Sequence, residues 1–162
     1  MFEHFRPKLS PAARESEVLF LANIQPRLHC SSTRSSRLSA AREVLGWGPS
    51  VVLAKQGEYG AALVTPDSFF SLPAYPLETV VDPTGAGDTF AGGFVGYLAR
   101  HLDEAYSDER LHQAMAYGTA LASFNVEEFG TERVARLTSN EISARVDDLR
   151  QITHFEHEPL VV

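Results

Sequence analysis

An α/β layered domain is the fold class the sequence predicts, and three observations predict it. Short apolar runs in the first half of the chain read as buried strands. A glycine-rich stretch then joins extended chain to a long helix of small residues. Helical segments with apolar stripes follow, so strands, a strand-to-helix crossing and stacked helices supply the layers.

The elements follow in order. "SEVLFLAN", 16 to 23, is a short apolar run expected as a buried strand, and the Ser/Arg-rich stretch 24 to 40 is expected as loop or disorder. A helix is expected over 38 to 46, ending at Gly46. "PSVVLAKQG", 49 to 57, predicts a second strand, with Val51, Val52 and Leu53 in its core and Gly57 as breaker. "AALV" and "SFFSL" around Thr65-Pro66-Asp67 predict a hairpin. "LETVVD", 77 to 82, is expected as a further short strand, leading into a helix over 87 to 101. A helix over 107 to 124 starts after Ser107 as N-cap and gathers Leu111, Ala114, Met115, Gly118 and Ala122 on one face. A last helix starts at "TSNE", where Thr138 and Glu141 have capping-box spacing, and Ile142, Val146 and Leu149 form its stripe.

The chain has 162 residues, enough to bury one core, and its hydrophobic share of 44% is that of a soluble globular protein. No apolar run is long enough for a membrane span and the N-terminal stretch has no apolar signal core, so a cytoplasmic protein without a membrane partner is expected. One cysteine, Cys30, excludes an internal disulfide framework and a cysteine-based zinc site. Among the six histidines, "HFEHE" at 154 to 158 alone sets histidine beside carboxylates at metal-ligand spacing, close to the C-terminus where chains fray. The net charge of −7 is uneven: residues 1 to 55 carry 8 basic against 4 acidic side chains, and 56 to 162 carry 6 against 17. Such an acidic chain has no footprint for nucleic acid.

"VVDPTGAGDTFAGGFVGYLAR", 80 to 100, carries the chemistry. Backbone N–H groups in a helix's first turn lack intrahelical partners, and the macrodipole places partial positive charge there. Gly85, Ala86 and Gly87 have no side chain large enough to keep an oxyanion or phosphate from those groups. A carboxylate at Asp88 would stand beside that anion hole, where it can accept a proton from a hydroxyl attacking a phosphoryl group. The bland alternative is that Gly85 and Gly87 only permit positive φ in a turn that Asp88 caps. The string is neither a G-x-G-x-x-G dinucleotide fingerprint nor a Walker loop. Gly92, Gly93 and Gly96 each cost about 1 kcal/mol of helix propensity, which calls for a compensating close approach.

"DPTGAGDTFAGGFV" resembles the C-terminal signature of the ribokinase-like (PfkB) carbohydrate kinases, D-x-x-G-A-G-D-x-F-x-x-G, through Asp82, Gly85, Ala86, Gly87, Asp88, Phe90 and Gly93. "VVLAKQGEYGAAL" is similar to the family's K-x-G-x-x-G strand and turn through Lys55, Gly57 and Gly60, and "AMAYGTALASFNVEEFG" to the helix bordering its adenine pocket. The similarity covers roughly 49 to 152. The resemblance implies a three-layer α/β/α sheet and transfer of the ATP γ-phosphate, with Mg2+, to a hydroxyl of a sugar or nucleoside. It implies that Asp88 is the catalytic base and Gly85, Ala86 and Gly87 the anion hole. Lys55, Gly57 and Gly60 would line the nucleotide, with Gly118 near its base. Asp82 and the Thr84 carbonyl match positions that hold a monovalent cation, K+ in some members. Lys55 as a solvated strand-end lysine and Asp82 as a helix-entry turn residue are the plain alternatives.

The sequence departs from the family in length. Family chains are usually near twice as long, and the sugar-contacting N-terminal units and small β-sheet lid have no counterpart here. A stretch around "FEHFRPKLSPAARESEVLFLANIQP" again resembles a mid-chain part of one subgroup, but "RLHCSSTRSSRLSA" resembles nothing in the family and reads as a deletion or frameshift seam. The Asn-x-x-Glu string "NVEE", 125 to 128, follows the catalytic aspartate instead of preceding it and reads as coincidence. A catalytically incomplete fragment, acting as a nucleotide-binding or partner-dependent module, is therefore the alternative to a kinase. Exposed sheet edge and apolar surface would favour a homo-oligomer or a complementing fragment as partner.

Overall fold

The structure, a computed structural model, describes residues 37 to 101 and 106 to 160. The expected strand at 16 to 23 and the seam up to residue 36 lie outside the described residues. The helix expected over 38 to 46 is present as α1, Arg37–Leu45, and the loop expected up to residue 40 therefore gives way to helix at residue 37. Helix α1 stops where Gly46, Trp47 and Gly48 turn back onto the carbonyls of Arg42, Val44 and Leu45.

Strand β1, Val52–Lys55, β2, Ala61–Val64, and β3, Phe69–Leu72, form a sheet in the order β1-β2-β3, antiparallel throughout. The register sets Leu53 opposite Leu63 and Ala61 opposite Leu72. The hairpin expected at Thr65-Pro66-Asp67 is present, closed by the Thr65 N–H on the Ser68 carbonyl and the Ser68 N–H on Thr65 Oγ1. Between β1 and β2 a 3-10 turn, Gly57–Tyr59, is locked by the Gln56 N–H on the Gly60 carbonyl at 2.7 Å. Gly60 has φ 94°, and a Cβ there would lie 2.1 Å from the Leu72 carbonyl oxygen, so only glycine fits.

All residues of β2 are buried, so both faces of the sheet are covered. Ala61 and Leu63 join Leu72, Phe90, Leu98, Leu111, Met115 and Leu149 in the main core. Ala62 and Val64 take the opposite face, where α1 packs against β1 and β2 and buries Ala41. A helix layer thus lies on each side of the sheet.

"LETVVD" forms no strand, contrary to its β-branched pattern. The N–H groups of Val81 and Asp82 both donate to one carbonyl, that of Val126, at 2.8 and 3.3 Å, and not to a strand neighbour. Helix α2, Ala86–Ala99, follows, and helix α3, Asp108–Asn125, starts from Ser107, whose hydroxyl accepts the Arg110 N–H as expected. The two helices touch through glycine: a Cβ on Gly93 would lie 2.9 Å from Gly118 Cα, and one on Gly118 would lie 2.7 Å from the Phe90 carbonyl oxygen. The short helix α4, Glu132–Ala135, precedes α5, Ser139–Thr153, which carries the expected capping box between Thr138 and Glu141. Leu149 from the expected stripe is buried, with Ile142 and Val146 half-buried.

Arg145 fastens α5 to the C-terminal end of α3. Its guanidinium lies 3.9 Å from the Phe124 ring centre and 4.3 Å from that of Tyr75, and it donates to Ser123 Oγ and Glu127 Oε1, each at 2.8 Å. Arg133 joins the same carboxylate to Glu141.

Candidate active site

The extended chain leaves β3, is pinned by Val126, and enters α2 through a tight turn. Thr84 N–H donates to Asp82 Oδ1 at 2.9 Å, closing the turn on itself. The Thr84 hydroxyl and N–H together hold the Asp82 carboxyl below the usual carboxylate range. Gly85 is the N-cap, in the left-handed region at φ 81° and ψ −8°, a conformation that glycine adopts without cost from a Cβ. The Thr89 N–H closes the first helical bond on the Gly85 carbonyl at 2.8 Å.

The sequence signature is therefore brought together in space. Ala86, Gly87 and Asp88 form the first turn of α2, where N–H groups have no carbonyl four residues back within the helix. Ala86 N–H meets the Pro83 carbonyl at 3.3 Å. Asp88 is exposed on that turn. Lys55, at the end of β1, reaches over it and donates from Nζ to the Gly87 carbonyl at 3.1 Å. A Cβ on Gly87 would lie 2.9 Å from that Nζ. A cation, a carboxylate and a glycine-lined helix N-terminus thus share one end of α2.

Other predicted residues are placed differently. Gly57 and Gly60 build the turn that follows Lys55, at φ 60° and 94°. Gly118 is buried against Phe90, so its lack of a side chain serves the α2–α3 crossing. Gly93 has the same explanation, whereas Gly92 and Gly96 face open space. Of the oxygens considered for a monovalent cation, Asp82 Oδ1 accepts the Thr84 N–H, and the Thr84 carbonyl accepts Asn125 Nδ2 at 2.8 Å. That carbonyl keeps a second lone pair.

Asn125 was not among the residues singled out as functional. It is 1% exposed, and its Oδ1 accepts the Thr89 hydroxyl at 2.9 Å while its Nδ2 holds Thr84. Its neighbour Val126 holds Val81 and Asp82. A polar residue on the buried face of a helix, at the end of an apolar run, was the available signal.

Comparison with known proteins identifies the family. Residues 9–136 match the pfkB family of carbohydrate kinases, a span that includes the Ser/Arg-rich stretch. The chain is similar to a cytidine kinase of Thermococcus kodakarensis, 49% identical over 63 residues, covering 38% of this chain and 22% of that one. It is 32% identical over 127 residues to a nucleoside kinase of Methanothermobacter thermautotrophicus, covering 78% of this chain and 37% of the relative. Among solved structures, the aminoimidazole riboside kinase of Salmonella enterica, complexed with aminoimidazole riboside and an ATP analog, superposes with a TM-score of 0.59 at 28% identity, over 71% of this chain and 37% of that one. A ribokinase of Thermotoga maritima gives 0.55 at 28% identity, over 67% and 33%. The chain thus spans 22% to 37% of the length of these relatives. The fold is that of the ribokinase-like kinases, and the chain belongs to the pfkB family of carbohydrate kinases.

Proposed function

We propose that this chain carries the phosphoryl-transfer end of a PfkB kinase, which moves the γ-phosphate of ATP to a hydroxyl of a sugar or nucleoside. One observation carries the proposal: Gly85 in the left-handed region turns the chain so that Asp88, the first-turn amides of α2 and the Lys55 ammonium share one helix end. The substrate oxygen attacks the γ-phosphorus and its proton passes to the Asp88 carboxylate. The new O–P bond forms as the bond to the β-phosphate oxygen breaks, and ADP leaves. The Gly85, Ala86 and Gly87 backbone faces the charge that moves across the transferring oxygens. Lys55, with the turn of Gly57 and Gly60 behind it, stands on the nucleotide side and supplies a positive charge.

Among the described residues no three acidic, histidine or cysteine side chains group to hold a metal ion. Mg2+ is accordingly proposed to come with the nucleotide, where it neutralises phosphate charge. Asp82 and the second lone pair of the Thr84 carbonyl are the proposed contacts for K+. Gly118 would influence the nucleotide only through the spacing of α2 and α3.

The chain's coverage of 22% to 37% of its relatives' length favours a second reading, in which it binds nucleotide but turns over only beside a partner. ATP consumption by the purified chain over a panel of sugars and nucleosides, with Asp88→Asn alongside, separates the two. The kinase reading expects turnover that falls at least ~100-fold in the variant. Turnover unchanged by the substitution removes Asp88 as base, and ATP binding without turnover selects the partner-dependent reading.

A further inference from the structure

We infer that Asn125 is a positioning residue of the phosphoryl-transfer turn: its buried carboxamide clamps the Thr84 carbonyl with one arm and the Thr89 hydroxyl with the other. The two anchored groups flank Gly85, Ala86, Gly87 and Asp88, so the amide spans the anion hole from behind. A Cβ built on Gly85 would lie 3.6 Å from Asn125 Nδ2 and 3.7 Å from Oδ1, which places the carboxamide directly against the left-handed residue. Few side chains can do this. The Thr84 carbonyl needs a donor and the Thr89 hydroxyl needs an acceptor, and a carboxamide offers both from one planar group.

The clamp has a rigid base. Asn125 is the last residue of α3, and the next carbonyl, of Val126, takes the N–H groups of Val81 and Asp82. Two residues on, Glu127 is fixed by Arg145 and Arg133. The turn is therefore held on both flanks by the end of one helix. Loss of the amide would remove the Thr84 carbonyl's donor and the Thr89 hydroxyl's acceptor, both in part-buried bonds, and free the peptide planes that aim the first-turn amides.

The inference rests on the phosphoryl-transfer reading above, and its test keeps the two apart. The full chain is compared with Asn125→Ala and Asn125→Asp by ATP binding at neutral pH, together with amide hydrogen exchange of the segment 82 to 90. Asn125→Ala is expected to weaken ATP binding about tenfold. Asn125→Asp, of nearly the same shape, is expected to lose as much, because a carboxylate still accepts from the Thr89 hydroxyl but offers the Thr84 carbonyl no donor.

A packing role alone predicts that Asn125→Asp binds like the natural chain, and that result overturns the inference. So does a loss matched by faster exchange throughout α5. If the natural chain binds no ATP, the phosphoryl-transfer reading fails. The exchange measurement still decides the clamp: about tenfold faster exchange confined to 82 to 90 in Asn125→Ala supports it, and unchanged exchange overturns it.

Discussion

At Gly87 an added methyl group would meet Lys55 Nζ at 2.9 Å and Cε at 3.8 Å, and no other heavy atom within 4 Å is rigid backbone. The far end of a lysine can swing away, so Gly87→Ala is expected to leave thermal stability within ~1 kcal/mol of the natural chain, since alanine is the better helix former. Anion affinity at the turn should nevertheless fall, because the ammonium is displaced and the approach to the amides narrows. Calorimetric titration with ATP beside a thermal melt checks both halves. Gly60 is the contrasting case. Its added methyl would strike the Leu72 carbonyl in the neighbouring strand, and Gly60→Ala is expected to cost ~3 kcal/mol or more in urea unfolding. The two glycines look alike in the sequence, and only their surroundings show which one the strand beside it cannot spare.

Single elements show the balance between local and distant forces. The Glu141 carboxylate caps α5 by accepting from the Thr138 hydroxyl and N–H, with Arg133 adding a charge, and its pKa is held down to about 2 from the ordinary 4.5. A depressed folded-state pKa means that the stabilisation is complete above the unfolded value and fades as pH falls through the folded one. The melting difference between the natural chain and Glu141→Gln should therefore be constant near neutrality and shrink between about pH 4.5 and pH 2. Caps at Ser107 and Thr138 and the hairpin at Thr65-Pro66-Asp67 were legible in the sequence because each closes over three or four residues. The strand expected at "LETVVD" was not, because its N–H groups answer to Val126, far along the chain. Asn125, read from the sequence only as the start of a coincidental Asn-x-x-Glu string, was illegible for the same reason: its partners Thr84 and Thr89 lie 41 and 36 residues away. The signature around Asp88 could be read because its glycines and carboxylate are consecutive.

At the scale of the whole molecule, one cation joins segments far apart in the chain. Arg145 sits between the Phe124 and Tyr75 rings while donating to Ser123 and Glu127, so it ties α5, α3 and the segment after β3 together. Lysine cannot reproduce a planar fork that stacks and donates at once. Arg145→Lys is expected to lower the stability by ~1–3 kcal/mol, read as a lower urea midpoint at unchanged slope. Chain-wide layering was legible from the run of short strands followed by helices, yet the cover on both faces of β2 became visible only with the register, which sorts Ala61 and Leu63 from Ala62 and Val64.

The glycine crossing of α2 and α3 also acts as a lever arm. Gly118 and Asn125 stand on the same helix about two turns apart, so the distance set where Gly93 meets Gly118 fixes how far the carboxamide can reach. A methyl at Gly118 would press on the Phe90 carbonyl and push the fulcrum outward, and the displacement would arrive at Thr84 without any substitution there. In a double-mutant cycle on ATP affinity, Gly118→Ala and Asn125→Ala should then fail to add, because the first already slackens what the second removes. Additive losses would show that the crossing and the turn are mechanically independent.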